Sequence, residues 1–173
     1  TPEQRIGAYA DQTPWETCMT LGTQWSWKPD DKIKSAAEVV EILAECAGGD
    51  GNMLLDVGPM PDGLIEPRQV AVLKQVGAWL DKNGESIYGT RGNVTSPGNW
   101  GVVTAKNKTL YVHVLKVTTQ PIVIEGITAK IKSCEIMGTD QKVKYKQDKD
   151  SVAINPDGID LDNVDTIIKI ETK

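Results

Sequence analysis

The sequence predicts an α/β portion followed by an all-β portion, and three observations carry that prediction. In the first half, two stretches with helical apolar spacing alternate with short apolar runs. In the second half the helical period disappears, and seven short strand-like runs follow one another between turn residues. Charge changes with the grammar: residues 1–86 hold 14 acidic and 7 basic side chains, whereas residues 87–173 hold 10 and 12.

Taken in order, residues 1–14 read as a loop with Pro2, Gly7 and Pro14. The run 15–21 (WETCMTL) reads as a strand and 22–34 as a second loop. Ser35 and Glu38 have the S-x-x-E spacing of a capping box. Behind them Val39, Ile42, Leu43, Cys46 and Ala47 make one apolar helical face that ends in GGDGN. MLLDVG (53–58) suits a buried parallel strand. Glu66-Pro67 then opens a helix with proline at its first position, its buried face predicted from Val70, Leu73, Val76, Gly77, Trp79 and Leu80, and Asn83-Gly84 stops it. Loop, strand, helix, strand, helix is the order of βα units on a parallel sheet. WGVVTAK, TLYVHVLK, PIVIEG, KIKSCEIMG, VKYKQ, SVAINP and DTIIKIET are the strands of an antiparallel sandwich. The expected domains are therefore residues 1–85 and 86–173. Two βα units neither close a barrel nor cover both faces of a sheet, and the chain opens without Met on a polar motif. It is therefore expected to begin inside something larger and to be its C-terminal part.

Composition excludes several classes. The net charge of −5 offers no basic footprint for nucleic acid. No run approaches the length of apolar sequence that a membrane helix needs, and the start lacks the basic and apolar regions of a signal peptide. Cys18, Cys46 and Cys134 are far apart and odd in number, so neither a zinc site nor a disulfide framework is expected, and they read as small buried hydrophobes. GGDGN and PDG lack the residues of a phosphate loop or a calcium loop and read as turns.

The chemistry concentrates at the start. Glu3, Trp15, Trp25 and Trp27 lie on or beside the predicted loops, in a chain with five tryptophans and no phenylalanine. Carboxylates supply the acid and base that cleave glycosidic bonds, and flat aromatics cover the less polar face of a sugar. The plain alternative for the same residues is a solvated glutamate beside core tryptophans.

PWETCMTLGTQWSWKPDD, GGDGNMLLDVGPMPDGLIEPRQ and VGAWLDKNGESIYGTRG resemble, in order and spacing, the C-terminal part of glycoside hydrolase family 29, the α-L-fucosidases. The resemblance runs from Thr1 to about Gly92 and continues more loosely through WGVVTAKNKTLYVHVL. It implies the last βα units of a (β/α)8-like barrel followed by an antiparallel β-sandwich. It also implies a retaining exo-α-L-fucosidase with an aspartate nucleophile, a carboxylic acid/base and no metal or organic cofactor. Glu3 matches the acid/base position, Trp25 an aromatic lining the fucose pocket, and Trp27 a position commonly tyrosine; Trp15 is a further substrate-binding candidate. Glu16 is the rival carboxylate and reads better as structural, as does Asp56 in LLDVGP. His113, the lone histidine, reads as a packed strand residue. No aspartate here matches the nucleophile motif, so the nucleophile is expected outside the chain, on the N-terminal remainder of the barrel, and the 173 residues alone are expected to be inactive. The expected substrate is a fucosylated glycan, and the family resemblance implies a periplasmic, secreted or lysosomal setting. The competing reading is a non-catalytic carbohydrate-binding or structural fragment.

Overall fold

The computed structural model describes residues 2–7 and 13–173, so Thr1 and residues 8–12 of the predicted opening loop lie outside the described residues. The first portion runs β1 (Glu16–Thr20), α1 (Ala36–Gly48), β2 (Asn52–Asp56), α2 (Pro67–Asn83) and a single 3-10 turn (Gly84–Ser86). β1 and β2 are parallel, with Thr17 beside Met53, Cys18 beside Leu54 and Thr20 beside Asp56. Side chains alternate across a strand, and the two faces differ. Leu21, Met53, Leu55 and Val57 turn toward the helices and join Val39, Val72, Val76 and Leu80 in one apolar cluster. Cys18, Thr20, Leu54 and Asp56 turn to the other face, where Leu54 is 47% exposed. A third strand position lies on the free edge of β1: Gln4 N–H donates to the Cys18 carbonyl and Cys18 N–H to that of Pro2, which makes Glu3 the parallel neighbour of Cys18.

The helix starts follow their sequence signals. Ser35 Oγ accepts from Glu38 N–H at 3.2 Å while Glu38 Oε2 accepts from Ser35 N–H at 2.7 Å, the reciprocal pair of a capping box. The Ser35 N–H first, and then the Ser35 hydroxyl, both donating to Glu38 Oε2, hold the Glu38 carboxyl below its usual range. Pro67 opens α2. The buried faces differ from expectation. In α1 the buried residues are Val39, Val40, Ala44, Cys46 and Gly48, because the helix is covered on two sides, by the β1–β2 layer and by the second portion, where Val102 packs on Gly48. In α2 the stripe is Val72, Val76 and Leu80, and Leu73 stays 36% exposed.

All seven predicted strands form: β3 (Gly101–Lys106), β4 (Thr109–Val114), β5 (Ile122–Glu125), β6 (Ile131–Ile136), β7 (Tyr145–Gln147), β8 (Ser151–Ile154) and β9 (Thr166–Thr172). They make two antiparallel sheets, ordered β3-β4-β9-β6 and β5-β8-β7. Between them lies a core built from Val103, Val112, Val114, Ile122, Ile124, Cys134, Val152, Ile154, Ile168 and Ile170. In the three-stranded sheet β5 and β8 alternate cleanly, with Ile122, Ile124, Val152 and Ile154 in and Val123 and Glu125 out. The four-stranded sheet does not: Gly101–Thr104 and Leu110–Val114 are buried without a break, because its far face lies against the first portion.

Trp15 locks the base of the first portion. Its indole N–H donates to the Gly49 carbonyl at 3.0 Å, and its ring lies against Gly7 and Gly51 so closely that a Cβ on Gly51 would overlap the ring. Gly51→Ala is expected to destabilise the protein by about 1–3 kcal/mol through overpacking, seen as a lower urea midpoint with an unchanged slope; an unaltered midpoint would refute the wedge.

Candidate active site

In a parallel sheet with helices packed on one side, the loops at the carboxyl ends of the strands collect functional groups. At that end of β1 the chain enters the loop 22–31, which carries Trp25 with 42% exposure. The loop closes on itself. Asp31, 6% exposed, accepts from Thr23 N–H at 2.9 Å and the Thr23 hydroxyl at 2.6 Å, with Lys28 Nζ at 3.3 Å. The Thr23 hydroxyl first, then its N–H and Lys28, lower the Asp31 carboxyl to about 2 against the opposing effect of burial. The backbone of Ser26 and Trp27 rests on Gly58, at the carboxyl end of β2, where a side chain would strike Trp27 N. Trp27 Nε1–H donates to Glu66 Oε2 at 3.0 Å. Glu66 also pairs with Arg68, which reaches the Asp31 carbonyl at 3.0 Å.

Glu3 lies on the uncovered face of the β1–β2 layer. By register its side chain is in one row with Cys18 and Leu54. The run ends at once: Gln4 has φ 54°, in the left-handed region, and its amide nitrogen donates to Thr20 Oγ1 at 2.9 Å. Three carboxylates surround the row. Burial raises the Cys18 thiol above its ordinary value, and the negative charges of Asp56, Glu3 and Glu16 add to it in that order. Asp56 Oδ2 is shielded from solvent and has no hydrogen-bond partner among the described residues. Glu3, Glu16 and Asp56 thus share one face, Glu16 at the start of β1 and Asp56 at the end of β2.

The predicted residues therefore divide by position. Glu3 stands beside Cys18, the middle residue of β1, Trp25 lies in the loop that follows β1 and Trp27 anchors that loop, whereas Trp15 precedes β1 at the opposite end. His113 lies far along the chain in β4. Its ring and the Asp165 side chain are both 0% exposed, with Nδ1 and Oδ2 2.6 Å apart. Thr104 Oγ1 donates to the Ser86 carbonyl at 2.6 Å and lies 3.3 Å from His113 Nε2. The shorter bond takes the hydroxyl proton, so Thr104 accepts from the ring N–H. This buried chain is a structural tie. Asp31, Gly58, Glu66 and Arg68 lie within the family-like stretches, but nothing in the sequence assigns them a part in holding the Trp25 loop; the spacing of Pro29-Asp30-Asp31 after two tryptophans is a hint of a closed loop. Among the described residues no group of three or more His, Cys, Asp or Glu is arranged to hold a metal ion. No helix among them is long and apolar enough to cross a membrane.

Two measurements test these local accounts. A depressed carboxylate contributes its stability above its unfolded range and loses it as pH falls through the folded value. The Trp25 and Trp27 indole resonances should therefore hold steady from pH 6 through 4 and shift only toward pH 2; a separate loop transition near pH 4 would contradict the Asp31 closure. His113→Ala leaves the Asp165 side chain in the interior without this partner and should cost about 1–3 kcal/mol in urea unfolding, and an unaltered urea midpoint would refute the tie.

The comparisons with known proteins bear on this arrangement. The family model described as Alpha-L-fucosidase matches residues 1–85. The tissue alpha-L-fucosidase of Mus musculus is 35% identical over 109 residues, which cover 61% of this chain and 23% of that protein. The plasma alpha-L-fucosidase of Pongo abelii is 33% identical over 130 residues, covering 66% and 28%. The structure of alpha-L-fucosidase isoenzyme 1 from Paenibacillus thiaminolyticus superimposes with a TM-score of 0.85 at 32% identity, over 99% of this chain and 44% of that one. The chain thus spans about a quarter of the length of these curated relatives and under half of the solved structure.

Proposed function

This chain belongs to the α-L-fucosidase family, and from that membership we propose that it is the C-terminal part of a retaining exo-α-L-fucosidase of glycoside hydrolase family 29. In this reading residues 1–85 are the closing part of a (β/α)8-like catalytic barrel and residues 86–173 a β-sandwich domain. The observation that carries it is the position of Glu3: an exposed carboxylate on the open face of the layer, beside Cys18 and one residue before the chain leaves the sheet. Leu54, 47% exposed on the same face, supports the presence of a further barrel wall over it.

Glu3 is then the general acid/base. Protonated, it donates to the leaving oxygen while an aspartate from the N-terminal remainder of the barrel attacks the anomeric carbon. A covalent fucosyl-enzyme forms. Glu3, now a carboxylate, takes a proton from water, which releases fucose with retained configuration. Retention needs the two carboxyl groups roughly 5–5.5 Å apart, which sets where the partner aspartate stands. Trp25 covers the apolar side of the fucose ring and Trp27 holds its loop, while Trp15 acts through packing. Glu16 and Asp56 share the face as structural carboxylates. The substrate is a terminal α-L-fucosyl linkage of a glycan, and the setting is secreted, periplasmic or lysosomal, in keeping with relatives named for tissue and plasma. Against a separate sugar-binding role for the sandwich, its exposed aromatics among the described residues are Tyr88, ahead of β3, and Tyr145, on β7 of the other sheet, while Trp100 and Tyr111 are buried, which does not make a row for a sugar to stack on.

In the complete enzyme, Glu3→Ala should abolish most turnover on natural linkages and be rescued by azide on activated aryl fucosides, and Trp25→Ala should raise KM on the order of tenfold. The 173-residue chain alone should be inactive. Undiminished turnover of Glu3→Ala would sink the assignment.

A further inference from the structure

We propose that Glu66 is a positioning residue for Trp25, acting through Trp27; the proposal rests on Trp25 lining the fucose pocket. Glu66 occupies the N-cap of α2, where a side chain usually accepts from the free N–H groups of the first turn. It makes no such bond. Its carboxylate turns away from the helix, buried at 8% exposure, and spends one oxygen on Trp27 Nε1–H at 3.0 Å and the other on Arg68. Arg68, and then the Trp27 N–H, hold that carboxyl below its ordinary range, so it is ionised and accepting across the neutral range.

An indole N–H only donates, so Trp27 in this half-buried place requires an acceptor, and Glu66 supplies it. Trp27 is two residues from Trp25. Its backbone lies on Gly58 and leaves no room to slide, and its side chain is held by Glu66. Between Trp27 and the Thr23–Asp31 closure, Gln24 Nε2 spans to the Ser26 carbonyl at 3.2 Å. With both flanks held, the exposed indole of Trp25 has a defined position over the end of β1. Arg68 extends the tie to the far end of the same loop through the Asp31 carbonyl. A helix start has exchanged its own cap for control of a sugar-facing loop on a different βα unit.

The test is a double-mutant cycle in the complete enzyme with an aryl α-L-fucoside. Glu66→Ala should raise KM about fivefold with kcat changed less than about twofold, and Glu66→Gln, whose amide oxygen still accepts the Trp27 N–H, should restore KM to within about twofold of wild type. In a Trp25→Ala background Glu66→Ala should add nothing. Should Glu66→Ala fail to fold, Trp27→Phe, which removes the donor and keeps the ring, carries the same cycle. An equal KM increase with and without Trp25, or a Glu66→Gln as impaired as Glu66→Ala, would overturn the assignment. A wild-type enzyme without fucosidase activity would overturn the underlying reading as well, and is told apart by the first assay.

Discussion

The register between β1 and β2 is the constraint from which the candidate site follows. Because side chains alternate, a slip of β2 by one residue against β1 would turn β2 over. Met53, Leu55 and Val57 would leave the helix-packed cluster, and Leu54 and Asp56 would be driven into it. The apolar cluster therefore fixes the carboxylate face by exclusion. Glu3 inherits that choice through two backbone hydrogen bonds to Cys18. Its address depends less on its own side chain than on which way its neighbours across the sheet must point.

The loop above the layer is ordered by a different kind of interaction. Most of its ties are polar and join residues distant in sequence: Asp31 to Thr23, Trp27 to Glu66, Arg68 to the Asp31 carbonyl. Apolar burial makes the platform, and charge-assisted hydrogen bonds shape what stands on it. That division matches the balance of the first portion, where the helix-packed side is dry and the other is lined by Glu3, Glu16 and Asp56 around one thiol.

Much of the fold was legible because its signals are local. The Ser35–Glu38 capping box, the Glu66-Pro67 start, the glycine-rich stops and the seven β-runs each lie within a few residues and each appears as expected. The helix faces were less legible. Val40 and Ala44 are buried because α1 is covered on two sides, and a single-stripe template cannot anticipate a second neighbour. The uninterrupted burial of β3 and β4 has the same cause. In the site, the candidate residues were readable as residue types in a motif, whereas their support was not. Glu66 looks like an ordinary helix-start acid, and only the folded chain brings it to an indole 39 residues away.

The turn between α2 and the sandwich is attached at two consecutive residues. The Ser86 carbonyl accepts from Thr104, which backs onto the buried His113–Asp165 pair. The Glu85 carboxylate accepts from the Tyr111 hydroxyl at 2.7 Å and from Lys169 Nζ at 2.6 Å. Adjacent residues of a chain point in different directions, so the two attachments fix rotation as well as position. One such contact would leave a pivot, whereas two make a weld. The end of α2 is thereby joined to β3, β4 and β9 by side chains as well as by the chain itself.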